Sequence, residues 1–357
     1  MNKLALQSLN IGQNLDDLMN LDPRGYGVCR ILYPAARAYT GKPLSLNAAE
    51  QLVQTVKKND VVYILTGFIL LPHKHAEMDG IVSSVLLCRA LVKAFEAKPV
   101  IICPEDCIEA VKKLSLVAGL HLYDSVAELQ EYPQALAAIP FTKKADEAEA
   151  CANSILSAGL PRAVVSIECP GANKQGVYHN ATGLDMSALE AKTDMLFQKL
   201  ADAGVMNIAV GDLGNETGMG TIAEHLKEFV PYMAESEGST CRCGCAGGIL
   251  AATKAQNIIT ATVSDWGCYA LIAALAFLCE NMDILHTPET EKRALYVASE
   301  AGMVDMDGWL LPQIDGMSCD INMTIVNLMY LTVKNALDKR DNFDTWYEKV
   351  LELNFFK

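Results

Sequence analysis

Short apolar runs recur along the chain, each closed by turn-forming residues and followed by a segment with one apolar face. Residues 60–69, DVVYILTGFI, are rich in β-branched side chains and read as a buried strand. Residues 80–96 then carry helical periodicity. The alternation continues with a strand over 99–103, a helix over 105–114, short strands over 120–123 and 135–139, and a helix over 145–158. A strand over 162–167 ends at Glu168, a helix is expected over 187–203, and a strand over 206–210 runs into the turn GDLGNETGMG. A helix from about Thr221, a strand over 258–263 and a strongly apolar helix from Trp266 follow. Residues 46–57 suit an amphipathic helix, and the C-terminal part reads as helices around a glycine- and aspartate-rich loop at 305–315.

Alternating strands and helices predict an α/β fold, a mostly parallel Rossmann-like sheet with helices on both faces and a helical C-terminal part. The expected division is an N-terminal helical adapter over 1–58 and an α/β domain over 59–357. No internal repeat or low-complexity tract interrupts it.

Composition narrows the function. Of 357 residues, 51% are hydrophobic and 20% charged, enough to bury a sizeable core. The formal net charge of −14 argues against a nucleic-acid surface, which needs clustered Lys and Arg, and leaves no polybasic patch for a membrane. The longest apolar run, 268–279, is too short to cross a bilayer, and the N-terminus lacks a secretory pattern. A cytoplasmic protein acting on a small molecule is expected, with a homo-oligomer left open. Twelve scattered cysteines suit a reducing compartment. Cys241, Cys243 and Cys245 form a C-x-C-x-C cluster without the usual C-x-x-C spacing. The expectation there is a metal-free loop within a mobile insertion over 235–248, with a thiol redox or metal role as the alternative.

Four segments place polar residues just after an expected strand. They hold His73, His75, Glu77 and Asp79; Glu168, Asn173, Tyr178, His179 and Asn180; Asp212, Asn215 and Glu216; and Ser264, Asp265 and Trp266. In a parallel sheet all four share the carboxyl-terminal edge, where ligands bind. Asp79 and Asp265 also suit helix N-caps, and His73 and His75 suit a solvated loop. Glu168 closes a buried strand, where a carboxylate needs a partner. The turn at 211–220 is neither a phosphate-binding loop nor a dinucleotide fingerprint, so no nucleotide cofactor is expected. Its glycines and the helix after it favour an anion, here an amino-acid carboxylate with a cation nearby.

These residues carry a resemblance. TGF with a later E-x-DG at 66–80, IE-x-PG with G-x-Y-x-N-x-x-G at 167–183, GD-x-GNE-x-GMG at 211–220, S-x-WG-x-YAL at 264–271 and the DG segments at 307–322 are similar to the D-glutamate cyclase family. The resemblance covers roughly residues 60–330. It implies a carbon–oxygen lyase that interconverts D-glutamate with 5-oxo-D-proline and water. It further implies catalytic roles for Asp79, Glu168, Asp212 and Glu216, and substrate contacts from Glu77, Asn180, Gly211, Gly214, Asn215, Gly218, Ser264 and Trp266. A divalent ion, Mn or Mg, on Asp212 and Glu216 (or Asp79) would suit these oxygen ligands. Cys169 and Thr182 stand where the family usually has arginine, and Asp265 where it usually has asparagine. Those departures keep open a hydrolase or isomerase of a related amino acid or lactam, and a non-catalytic binding protein.

Overall fold

In the computed structural model, seven parallel strands form the centre. The structure describes residues 2–233, 241–340 and 344–353. The strands are β1 (Val61–Thr66), β2 (Lys98–Cys103), β3 (His121–Tyr123), β4 (Ala135–Pro140), β5 (Ala163–Ile167), β6 (Met206–Gly211) and β7 (Asn257–Thr260). Their order across the sheet is β3-β4-β2-β1-β5-β6-β7. Ile64 at the middle of β1 pairs with Ile101 on one side and Val165 on the other. Strands β1, β2, β5 and β6 are buried along nearly their whole length, which is why their sequences are continuous apolar runs. After β1 the chain builds outward through β2, β3 and β4, then returns to lay β5 against the other side of β1. The switch point thus lies between β1 and β5, and a crevice at their carboxyl ends is the expected ligand position.

Thirteen helices surround the sheet among the described residues: α1 (Lys3–Met19), α2 (Val28–Thr40), α3 (Leu44–Thr55), α4 (Ile81–Phe95), α5 (Ile108–Ala118), α6 (Val126–Glu131), α7 (Ala148–Leu156), α8 (Thr193–Asp202), α9 (Ala223–Phe229), α10 (Ser264–Leu278), α11 (Pro288–Glu300), α12 (Cys319–Asp338) and α13 (Asp344–Glu352). Every residue of α10 from Ser264 to Phe277 is buried, as expected for a helix apolar on all sides. Helices α1, α3, α4 and α12 pack around it. The α/β architecture and the helical C-terminal part are as the hydrophobic pattern predicts.

Some boundaries differ for local reasons. The helix expected from 187 begins at Thr193, because the preceding residues form turns in which Asp185 Oδ1 accepts the Ser187 N–H at 2.8 Å. The strand expected over 258–263 stops at Thr260, and the Thr262 N–H donates instead to Met19 O at 3.0 Å. Gly67 ends β1 at φ +110°, and residues 69–76 then form a small hairpin of their own. In the expected mobile insertion, residues 235–240 lie outside the described residues.

The first 55 residues share the core of the sheet. Ile11, Leu15 and Leu52 belong to the same apolar cluster as Leu271 of α10. Asp16, buried on α1, organises these helices. Its carboxylate accepts the Leu44 N–H at 2.6 Å, the Ser45 N–H at 3.1 Å, the Ser45 hydroxyl at 2.6 Å and the Tyr33 hydroxyl at 2.9 Å. A side chain from one helix therefore caps the N-terminus of another, α3, whose own N-cap position is Pro43 and supplies no side-chain bond. The arrangement also fixes the 20–27 connection between α1 and α2, which carries Arg24. Replacing Asp16 with alanine strands several buried donors and should cost about 3 kcal/mol in urea unfolding. Asp16→Asn, which keeps the acceptor oxygen, should cost less, and equal losses would show that the acceptor is not what matters.

Candidate functional site

Two helix N-termini meet at the switch point. Asp79, at the end of the 67–80 connection, and Asp265, in the first turn of α10, cap each other's helices. Asp79 Oδ1 accepts the Asp265 N–H at 2.8 Å and Oδ2 the Ser264 N–H at 3.1 Å. Asp265 Oδ1 accepts the Gly80 N–H at 2.8 Å and the Ser83 N–H at 3.3 Å, at the start of α4. The sequence suggests that each caps the helix it precedes, and the fold crosses them over. Gly80 sits at φ +82°, and a Cβ there would lie 2.7 Å from both Glu168 Cβ and Thr66 Oγ1. Only glycine lets α4 start this close to the end of β5.

Glu168 follows β5 with φ +40°, a left-handed conformation unusual for a side chain with a Cβ. It is buried, and its Oε2 accepts the Ser264 hydroxyl at 2.6 Å. Asp212 follows β6 and is half-buried. Among the described residues no hydrogen bond reaches its carboxylate. One carboxylate oxygen each from Glu168, Asp212 and Glu216 lie within 4.8 Å of one another, as do one each from Asp79, Asp212 and Asp315. Burial, followed by the charge of its neighbours, pushes the carboxyls of Glu77, Asp79, Glu168 and Asp212 well above the usual range. Burial also raises Asp265, to about 7.

The turn after β6 differs from the sequence expectation. Its N–H groups do not wait for a ligand anion. Glu216 takes them: Oε1 accepts from Asp212 at 2.9 Å and Leu213 at 2.7 Å, and Oε2 accepts from Gly214 at 2.6 Å. Gly211 makes room, since a Cβ there would lie 2.9 Å from the Glu216 carboxyl carbon. Glu216 is thus the turn's internal anion, and it holds Asp212 in place.

The other expected site residues divide. Glu77 is buried beside the cluster, where Asp315, Glu190 and Asp305 act on its charge. Asn215 donates to His179 O at 2.9 Å, Asn180 accepts from Thr182 and Leu184 within its own turn, and Gly214 and Gly218 pack against apolar side chains. Trp266 has no exposed surface, and its indole N–H donates to Asn322 at 2.7 Å. His73 and His75 stay exposed. Of the departures, Cys169 is buried with its thiol 3.0 Å from the Thr193 hydroxyl, and Thr182 is exposed.

Two site residues were missed from sequence. Arg24 reaches in from the connection between α1 and α2. Its Nη1 pairs with Asp315 Oδ2 at 2.8 Å and its Nη2 donates to Thr262 O at 2.6 Å. Burial opposes its charge, but Asp315, Asp212 and Asp79 outweigh that and hold the guanidinium's pKa up. Asp315 occupies the tip of a hairpin at 313–318, with φ +55° followed by Gly316 at +73°. That Asp-Gly pair is a two-residue hairpin signal.

Glu190 marks the rim beside the 69–76 hairpin. Its Oε1 accepts the Ile69 N–H at 3.1 Å, while Oε2 is buried with no partner. Burial raises its pKa to about 8. A carboxyl raised in the folded state favours folding at low pH and loses that favour as pH rises through the folded value. Relative to Glu190→Gln, the natural chain should lose about 1 kcal/mol per pH unit between its ordinary value near 4.5 and about 8. Thermal unfolding of both proteins at pH 5, 6.5 and 8 tests this, and a gap independent of pH would show that Glu190 does not titrate in that window.

Among the described residues no helix is long and apolar enough to cross a membrane. The chain is 32% identical over 116 residues to the human (Homo sapiens) protein "D-glutamate cyclase, mitochondrial". That match covers 32% of this chain and 17% of the human protein, so only a small part of that relative's length is represented. A family profile covers far more, residues 15–330, which takes in Arg24, the whole sheet and Asp315. With the profile spanning the carboxylate crevice and the N-terminal helices that complete it, the chain belongs to the family described as D-glutamate cyclase-like, C-terminal.

Proposed function

We propose that this chain interconverts D-glutamate and 5-oxo-D-proline plus water. The observation that carries the reading is the crevice at the carboxyl ends of β1 and β5, where Asp79, Asp212 and Asp315 act on the one guanidinium of Arg24 and a Glu168 oxygen lies within 4.8 Å of Asp212. Such a crevice is short of positive charge. A substrate bearing an ammonium group, together with a cation, restores the balance.

The donor set fits a hard divalent cation. Among the described residues no hydrogen-bond donor reaches the Asp212 carboxylate, and oxygens of Asp79 and Asp315 lie within 4.8 Å. Oxygen ligands of this kind suit Mg or Mn. Asp212 and Asp315 would hold the ion, whereas both oxygens of Asp79 and of Glu216 are already occupied by backbone N–H groups. A bound divalent ion supplies Lewis-acid polarisation of a carboxyl group.

Ring closure forms a C–N bond at the γ-carboxyl carbon and breaks one of its C–O bonds. The two protons lost by the ammonium group leave with that oxygen as water, so atoms and charge balance. Glu168 is the group to carry them. Burial raises its pKa above the ordinary carboxylate range, which makes it a stronger base than an exposed carboxylate. Ser264 holds the Glu168 carboxyl from the first turn of α10. Arg24 offers a guanidinium to the substrate's α-carboxylate while paired with Asp315. The cationic residues absent at 169 and 182 are then not required at this crevice.

The test is incubation of Mn- or Mg-supplemented protein with each enantiomer of glutamate and of 5-oxoproline, read by chiral chromatography. Interconversion confined to the D pair is expected, and no turnover of any of the four overturns the proposal. Glu168→Gln should lower kcat by roughly 10²- to 10⁴-fold without unfolding the protein. Near-normal kcat would remove Glu168 from proton transfer. Ser264 also sets a pH dependence. Its hydroxyl lowers the Glu168 pKa against the effect of burial, so Ser264→Ala should move the acidic limb of kcat/KM to higher pH. A shift the other way, or none, would show that the limb belongs to another group.

A further inference from the structure

We propose a second metal site, a structural zinc centre formed by His179, Cys241, Cys243 and Cys245, outside the carboxylate crevice. One ligand atom from each lies within 4.8 Å of the other three. The Cys241 and Cys243 sulfurs are 2.8 Å apart, and His179 Nε2 is 3.3 Å from Cys243 Sγ. The ligands come from two separate loops, the 173–185 connection after β5 and the 241–248 segment before β7. Their meeting is therefore tertiary and does not follow from sequence adjacency. It favours the metal role kept as the alternative over a metal-free loop, an expectation that rests on the missing C-x-x-C spacing. A turn closed by the Gly244 N–H on Cys241 O at 3.2 Å, with Gly244 at φ +84°, compensates for the short spacing.

The chemistry fits zinc. Three sulfurs and one imidazole nitrogen form a complete Cys₃His set, characteristic of closed structural zinc sites. With zinc–ligand bonds of about 2.0–2.3 Å, tetrahedral ligands lie roughly 3.5–3.8 Å apart, within the 2.8–4.8 Å range seen here. Donors already face the sulfurs. Cys245 N–H points to Cys243 Sγ at 3.4 Å, Gly247 N–H to Cys245 Sγ at 3.3 Å, and Asn173 Nδ2 to Cys245 Sγ at 3.2 Å. Hydrogen bonds of this kind support thiolate charge around a metal. The carboxylate crevice offers only oxygen, so the two sites select different ions.

The site sits behind the turn that carries Asp212. His179 O accepts the Asn215 Nδ2–H at 2.9 Å, and the Ala251 N–H donates to Gly214 O at 3.1 Å. Cys243 N–H donates to Gly183 O at 3.3 Å, and Asn173 Nδ2 donates to Gly248 O at 2.7 Å. Zinc would lock both loops together and steady the 211–216 turn.

The test begins with the whole chain, purified under reducing conditions, exposed to excess zinc and dialysed. Elemental analysis should find about one tightly held zinc per chain, the stoichiometry of a closed four-ligand site. Cys243→Ser should hold it far more weakly, and the triple Cys241→Ser, Cys243→Ser, Cys245→Ser variant should retain none. Asp212→Asn should keep its zinc, which separates this site from the crevice. Cobalt substituted into the natural protein should give intense sulfur-to-cobalt charge-transfer absorption, a readout that does not depend on whether a variant folds. Three results would each overturn the proposal: no zinc above background in the natural chain, zinc fully retained by the triple variant, or a Cys241–Cys243 disulfide in the freshly isolated protein. None of them bears on cyclase activity, so the two proposals fail separately.

Discussion

The crossed capping of Asp79 and Asp265 is the constraint on which the crevice depends. Each carboxylate serves the N-terminus of the other's helix, so α4 and α10 must begin side by side at the sheet's switch point. Moving either carboxylate frees backbone donors at the N-terminus of the other's helix. Two helix N-termini also bring two positive dipole ends to one place. That helps a fold tolerate so many acids there. Gly80 and the left-handed Glu168 are the steric consequences, since both let β5 and α4 approach within contact distance.

Charge decides what such a crevice can hold. Glu216 uses its charge internally on three turn N–H groups, and Asp79 and Asp265 use theirs on helix ends. Asp212 and Glu168 are left to act on a ligand, with Arg24 and Asp315 as the opposing pair. An anion alone would be repelled. On the proposed reading, a zwitterion such as glutamate would bring its ammonium group to Glu168 and a carboxylate to Arg24. The N-terminal helices matter here because Arg24 lies between α1 and α2, and Asp16 fixes those helices to α3.

Much of this could be read from sequence because it is local. Buried parallel strands announce themselves as apolar runs, and the residue after each run falls on the same edge of the sheet. Asp79, Glu168, Asp212 and Ser264 all follow such runs, and the fold brings them together. What escaped was tertiary. Arg24 sits in an ordinary polar connection, and only the packing of α1 and α3 on α10 brings it to Asp315. The crossing of the two caps needs the helix ends to be neighbours in space. The structural use of Glu216 is hidden in the sequence because a glycine-rich turn before a helix invites an external anion, and nothing local reveals that the turn carries its own. Asp315 was legible as an Asp-Gly turn, but its partner lies 291 residues earlier.

The sulfur cluster and the carboxylate crevice meet at the Asp212 turn. The Asp212 turn is braced from the front by Glu216 and from behind by Asn215 and Gly214, whose partners are His179 O and the Ala251 N–H. Both of those partners belong to loops that lack regular secondary structure. A metal bound between two such loops fixes them to each other, adding to the anchorage that buried Tyr178, Ile249 and Leu250 provide. A Cys₃His centre at that point would give the turn a rigid backing without adding charge to the crevice. Sulfur on one side of the turn and oxygen on the other would keep the structural ion from exchanging with the catalytic one. A shared set of ligands would offer no such separation.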